Sequence, residues 1–427
     1  MKKIVLTLAS VMAATVFAPE ASAIPSFARQ TGMGCSACHQ QHYPVLNGFG
    51  QAFKASGYTM MGAQGKIEGE HLSIPETLNA AVLLKARYQK STTTGATPDT
   101  ISGTNTESGQ WQIPDELSLF FGGRVADQDS FKMGMMMENN LVGGPAGGII
   151  AGMKLPMVYE AGDLKFMAIP YLTDALGVAY GFEQSSTGMT RGIRWAEHRS
   201  DISAAQYTGM GSGAASGLAF VALHEMGYIN VSKWSPAFAY VPGAEGSGIQ
   251  MSSTWVRLAA TPTVADWAMH IGFGSMSGQS YNSWALPTSG AVSYGDEAAM
   301  SGTTSKTEAT VLDFQAHGQV GGNDLGIYVT YASVPSGTKY NTGAQTESAS
   351  TIGADYSLIP HTLHLGAAMR NGTTGAGRSD NSISAMAIYD LTQNVALHLN
   401  HSIRSGQQAD AGSTEKSLTT FMLEAAW

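Results

Sequence analysis

Cys35 and Cys38 are the only cysteines of the chain, they stand three positions apart, and His39 follows at once. The stretch Cys35-Ser36-Ala37-Cys38-His39 is a C-x-x-C-H sequence, the spacing at which c-type haem attaches. Two thiols one helical turn apart can add across the two vinyl groups of one haem. The histidine that follows then faces the iron as proximal ligand. A structural disulfide, a thioredoxin-like redox pair or half of a zinc site would use the same cysteines. The redox pair wants a βαβ context that is missing here, and zinc wants more ligands in a cluster. The spacing therefore predicts one covalently bound haem c on Cys35, Cys38 and His39.

A sixth ligand is not fixed by spacing. Met60 is the first candidate for the distal position, Met61 and His71 are alternatives, and His42 is too close to reach round the ring. An open or water-bound site is the remaining option, and a methionine would raise the potential relative to two histidines. Arg29 is a candidate contact for a haem propionate, since a guanidinium pairs with carboxylates in bidentate fashion; otherwise it is a solvated charge. The stretch Pro44 to Ser56 reads as a short helix, with Val45, Phe49 and Phe53 on one face to cover the haem edge and Gly57 placed to cap its end.

The elements that must hold this segment follow from composition. The chain has 427 residues and is 13% charged, about half the ~25% of soluble domains, with 51 glycines. No stretch beyond the first 23 residues approaches ~18 consecutive apolar residues, which excludes a polytopic helical membrane protein. A net charge of -9 with 23 Lys+Arg argues against nucleic acid as a partner, because phosphate binding needs clustered cations. Lys2-Lys3, the apolar run Ile4 to Ala18 and Ala21-Ser22-Ala23 read as an export signal over 1–23, with Ile24 the first mature residue.

From about Leu78 onward, apolar residues recur at every second position. Leu78 to Tyr88 alternates, with Ala81 and Leu83 as imperfections on the polar face. Trp267, Met269, Ile271 and Phe273 alternate with Ala268, His270, Gly272 and Gly274, and Leu397 and Leu399 with His398 and Asn400. Period two means strands with one apolar and one polar face, as a sandwich or a barrel would have. Two features favour a transmembrane barrel. Tyr88, Tyr228, Tyr240, Tyr331 and Tyr389 sit at strand ends, as an interfacial girdle does, and the chain closes on Phe421-x-Leu423-x-x-x-Trp427, an ending that resembles the C-terminal signal of outer-membrane barrels. The fold expected is an all-β outer-membrane barrel of about sixteen antiparallel strands over 76–427, behind a small helical haem segment over 24–75. The long polar stretches Ser91 to Gly109 and Leu286 to Thr307 read as loops.

Other patterns carry less. Met133, Met135 and Met137 share a strand face with Phe131 and read as lipid contact or packing. His224-Glu225 starts a zincin-like pattern, but Tyr228 occupies the second histidine position. His361/His364 and His398/His401 are three apart, which on a strand puts partners on opposite faces.

The run Ile24-Pro25-Ser26-Phe27-Ala28-Arg29-Gln30-Thr31-Gly32, then the haem motif, then Tyr43-Pro44-x-Leu46-x-x-Phe49-Gly50-x-x-Phe53-Lys54-x-x-Gly57-Tyr58, resembles the fused monohaem cytochrome–porin family of iron-oxidising bacteria. The motif likeness covers about 35 residues; beyond it the likeness is architectural. Gln51 departs from the basic residue expected there and leaves the haem residues untouched. The resemblance implies an outer-membrane protein that takes electrons from extracellular Fe(II) and passes them through the haem to a periplasmic c-type cytochrome or other electron carrier. An electron conduit for a different donor or acceptor, and a diffusion porin with a haem-bearing plug, are the alternatives.

Overall fold

The computed structural model describes residues 26–40, 44–62, 64–70, 72–92, 109–142, 150–187, 203–237, 250–281, 304–410 and 416–427. The export segment 1–23, Ile24, Pro25, His42, Tyr43, His71, Tyr240 and most of the two long polar stretches lie outside the described residues.

Sixteen strands form one closed barrel among the described residues. In chain order they are β1 (Ala80–Ser91), β2 (Gln110–Gln128), β3 (Phe131–Val142), β4 (Gly152–Lys154 and Met157–Ala161), β5 (Leu164–Thr173), β6 (Ala215–His224), β7 (Gly227–Ser235) and β8 (Ser253–Ala260 with Thr263–Val264). Then follow β9 (Trp267–Ser277), β10 (Ala309–Val320), β11 (Asn323–Val334), β12 (Glu347–Ile359), β13 (Leu363–Thr373), β14 (Ser379–Thr392), β15 (Val395–Ser405) and β16 (Ser417–Ala426). β4 is broken at Pro156, which has no backbone N–H to give to a ladder. β16 pairs antiparallel with β1, from Leu418 opposite Ser91 to Ala426 opposite Leu83, and Trp427 exchanges backbone hydrogen bonds with Val82 beyond the last pair.

The faces settle the choice between sandwich and barrel. On β9 the outward Ile271 is 53% exposed, whereas His270 beside it is 1% exposed. Leu312, Ile352, Ile383, Leu399 and Ile403 likewise face outward, while Arg257, Asp313, Gln315, Arg370, His398 and Glu424 are buried inside. Apolar side chains out and polar ones in is the arrangement of a barrel bathed in lipid. Of the expected girdle, Tyr331 is exposed on the outer face, but Tyr228 is not part of it. The register of β7 against β6 and β8 turns Tyr228 inward, where its ring is buried and its hydroxyl bonds a carboxylate of the lumen.

The barrel has two unlike ends. At one, turns of two or three residues join the strands; Gly321-Gly322 takes positive φ at both positions, as a tight hairpin matched to strand twist requires. At the other end the connections are longer, from residues 374–378 between β13 and β14 to residues 174–214 between β5 and β6. The described parts of the one between β5 and β6, residues 174–187 and 203–214, fold into the lumen and carry a 3-10 turn at Val178–Tyr180, the buried Phe182 and a short helix at Ala204–Tyr207.

The N-terminal segment lies against the inner wall as α1 (Ser26–Thr31), α2 (Cys35–Cys38) and α3 (Gly48–Ala55), followed by a hairpin of Lys66–Gly69 and Leu72–Pro75. The third helix starts at Gly48, not at Pro44. Asn47 caps it by accepting from the Gly50 amide at 3.0 Å; before it Pro44 and Val45 form a turn, with Gln40 donating to the Val45 carbonyl, and Leu46 bridges to His39. Val45 is buried outside the helix, Phe53 is buried within it and Phe49 is exposed. Gly57 ends it as expected: with φ +69° it donates to the Lys54 carbonyl while Tyr58 donates to that of Phe53, a Schellman motif.

A charge placed on the outer face should cost much more than a lost hydroxyl inside. Leu399→Lys, mid-strand on β15, is expected to lower unfolding stability by roughly 2–4 kcal/mol in bilayers, and Ser384→Ala, on the lumen face of β14, by less than about 1 kcal/mol. Urea unfolding in lipid vesicles measures both.

Candidate functional site

Asn47 ties the haem motif to α3. Its side chain caps α3 and also donates to the carbonyl of Ala37 at 3.0 Å, and its own amide donates to the Cys38 carbonyl at 3.0 Å. Gly50 allows this approach: a Cβ there would lie 2.2 Å from the Cys38 carbonyl oxygen. The His39 ring contacts the Val45 carbonyl through Nδ1 at 3.1 Å. A proton on Nδ1 leaves the lone pair on Nε2, the tautomer and orientation of a metal-ligating imidazole.

Gln30 fastens this assembly to the wall. It is buried and donates to the carbonyls of Tyr58 and Met60 at 2.7 and 2.8 Å, and it accepts from the Arg124 amide of β2 at 3.0 Å. Small residues on the wall make the room. A Cβ at Gly122 would strike the Phe27 ring, and one at Gly134 would lie 1.9 Å from the Gly57 carbonyl oxygen. The Cys35 amide donates to Gln393 Oε1 at 3.0 Å, and Gln393-Asn394 is one of the short turns, so α2 sits at the short-turn end.

Between segment and wall lies a cavity of about 300 Å3. Cys35, Cys38 and His39 stand together on its lining. Phe27, Phe53 and Tyr58 supply an aromatic side, with Phe27 stacked on Tyr58 at 4.8 Å between centroids. Ala81, Leu83, Phe120, Met136 and Ala426 supply the barrel side, and Lys54 and Lys154 are the cations of the lining. Two thiols, an oriented imidazole, apolar walls and a cationic edge suit a porphyrin, which has apolar faces and a carboxylate edge. When bound there, a haem would be held by Cys35, Cys38 and His39 and would supply one-electron chemistry. Both cysteines are free of any disulfide. Burial, and then the Asp390 carboxylate, push the Cys35 thiol up to about 11, and burial raises Cys38. A dithiol redox centre wants the opposite shift.

The remaining sequence candidates lie elsewhere. Arg29 donates to the Ala80 carbonyl and is not on the cavity lining. Met60 and Met61 are half-buried and also off the lining, where the methionines are Met33 and Met136. Sequence reasoning passed over Lys54, Lys154 and Met136. Ala81 and Leu83, the two imperfections in the alternation of β1, were the available signal: they break the polar face where the wall meets the cavity.

A second cluster, also unforeseen, pins the inward segment. Arg257 of β8 lies 2.9 Å from Glu183 Oε2 through Nε and 2.9 Å from Asp313 Oδ2 through Nη2. The Tyr228 hydroxyl donates to Glu183 at 2.5 Å, and that of Thr187 to Asp313 at 2.6 Å. Burial works against ionising Glu183, but the Arg257 guanidinium outweighs it and holds the carboxyl below its usual range. Lys54 of α3 donates to the Glu183 carbonyl, so the inward segment touches the haem-motif segment as well.

No family model matches the chain, and no curated protein matches it in sequence. Among solved structures, Salmonella typhi OmpF in its complex with daunomycin is similar over 85% of this chain and all of its own, with TM-score 0.51 and 11% identity. OmpT of Vibrio cholerae (TM-score 0.48, 11% identity, 85% of this chain and 99% of that one) and an anion-selective porin from Comamonas acidovorans (0.47, 12%, 82% and 99%) are further neighbours. The chain has the fold of an outer-membrane porin barrel, and the likeness to OmpF is one of fold.

Because the folded-state pKa of Glu183 is depressed, its pairing contributes stability above the unfolded value of ~4.3 and loses it as pH falls through the folded value. Arg257→Met should lower the opening free energy of the Phe182–Thr187 amides by about 3–5 kcal/mol at neutral pH. Hydrogen exchange read by mass spectrometry should show this, and should show the native segment loosening below about pH 4.

Proposed function

We propose that this protein is an outer-membrane cytochrome–porin that takes electrons from extracellular Fe(II) and hands them to a periplasmic electron carrier through one c-type haem. The observation that carries the reading is the meeting of Cys35, Cys38 and His39 on one mostly apolar cavity that the barrel wall covers on one side. A C-x-x-C-H sequence on an exposed loop would have no such cover. The fold supports the outer-membrane setting, and the resemblance over residues 24–58 supports Fe(II) as donor.

In this reading the thiols of Cys35 and Cys38 would hold the haem covalently and His39 Nε2 would bind its iron. Met60, Met61 and His71 are the distal candidates from the sequence, and Met33 and Met136 are added by their place on the cavity lining. Arg29, the propionate candidate from the sequence, donates to the Ala80 carbonyl and stands off the cavity lining. Fe(II), the substrate, gives up one electron and leaves as Fe(III); the carrier accepts one electron at the short-turn end, which in an outer-membrane barrel faces the periplasm. Phe27, Phe53, Tyr58 and the wall residues would cover the apolar faces of a bound haem, and no bond to substrate forms, so no acid–base pair or nucleophile is required.

A diffusion porin with a haem-bearing plug is the second reading, favoured by the polar inner face that lines the lumen. A conduit for another donor or acceptor is the third. Anaerobic titration of the oxidised, detergent-purified protein with Fe(II) separates them. The Fe(II) reading expects reduced-haem bands in one-electron proportion to protein, and their loss in the Cys35→Ala/Cys38→Ala variant. Reduction by other donors but not by Fe(II) contradicts it in favour of the general conduit. Steady ion conductance in planar bilayers without reduction by Fe(II) points to the porin.

A further inference from the structure

We propose that Lys54 and Lys154 bind the two propionate carboxylates of the haem, an assignment that rests on the cytochrome reading above. Lys154 ends the first piece of β4 and is buried at 6% exposure, and Lys54 is half-buried on α3. Both line the cavity that holds Cys35, Cys38 and His39. A lysine is almost never buried without an anion, since desolvating an ammonium costs several kcal/mol.

Among the described residues neither lysine makes an ion pair. Each donates to a backbone carbonyl instead, Lys154 to Tyr180 at 3.1 Å and Lys54 to Glu183. Lys154 also lies over the Tyr180 ring, 4.4 Å from its centroid, and 5.9 Å from that of Tyr58. Carbonyl and ring contacts orient an ammonium but do not neutralise it. The nearby carboxylate, Glu183, is already engaged by Arg257. Two cations drawn to one apolar cavity from different elements repel one another, so the site is balanced by a ligand with two anionic groups. The haem edge opposite its thioether-forming vinyl groups carries two carboxylates. The lysines reach the cavity from both sides of the interface, so the same contacts would lock α3 onto β4.

The test uses the haem-loaded, detergent-purified full chain and reads the haem itself. Lys54→Met, Lys154→Met and Lys154→Arg are compared with the parent by spectroelectrochemistry and by the propionate bending bands in resonance Raman. Heat-modifiable gel mobility reports that each barrel is folded. Removing a cation beside the haem disfavours electron addition, so both methionine variants should show a lowered midpoint potential and shifted propionate bands. Lys154→Arg, which keeps the charge, should stay near the parent. Folded, haem-loaded methionine variants with the parent's potential and bands would overturn the proposal while leaving the cytochrome reading intact. Failure of the parent itself to carry covalent haem would overturn both.

Discussion

A strand crossing hydrocarbon has no water to satisfy its backbone, and each unpaired amide or carbonyl costs several kcal/mol there. Pairing β16 with β1 removes the last free edges, and the rest of this structure depends on that closure. Once the sheet is closed, period-two alternation has a single consistent solution. Ile271, Ile383 and Leu399 go out to lipid, and His270, Ser384 and Asn400 go in. Sixteen strands enclose a lumen too wide for wall side chains to fill. The chain fills part of it twice, with the inward connection between β5 and β6 and with the N-terminal segment.

That second filling gives the C-x-x-C-H motif its environment. A segment of about thirty residues has too little apolar surface of its own to cover a porphyrin, and α3 is only two turns long. The barrel completes the site with Ala81, Leu83, Phe120, Met136 and Ala426, and glycines at 122 and 134 let the segment come close. Gln30 and Asn47 then fix the geometry through buried hydrogen bonds that bridge elements far apart in sequence. The Arg257 cluster holds the inward segment against both the wall and α3, so the two lumen fillings brace each other.

Much of this was legible from residues alone, because the membrane imposes a simple rule on every strand. The alternation around Trp267 and Leu397 pointed to strands, and their repetition to about sixteen. Local chemistry set the closing turn of α3 at Gly57. What sequence could not reveal depended on register or on distant partners. Tyr228 reads as a girdle residue until its pairing turns it inward. Pro44 is a sound helix start in isolation, but the backbone bond between Gln40 and Val45 holds that stretch in a turn, and the helix starts at Gly48 behind the Asn47 cap. Glu183, Arg257 and Asp313 are spread over 130 residues, and no local pattern joins them. Lys154 sits in a strand broken at Pro156, where alternation no longer says which way a side chain points.

On the proposed reading, the cavity between the N-terminal segment and the wall would hold one haem through the thiols of Cys35 and Cys38. Intact mass spectrometry of the protein exported by a host with c-type cytochrome maturation tests it most directly. A chain heavier by one haem that survives denaturation is expected, and a haem-free chain when Cys35 and Cys38 are both alanine. A folded, exported barrel with both native cysteines and no added mass would contradict it.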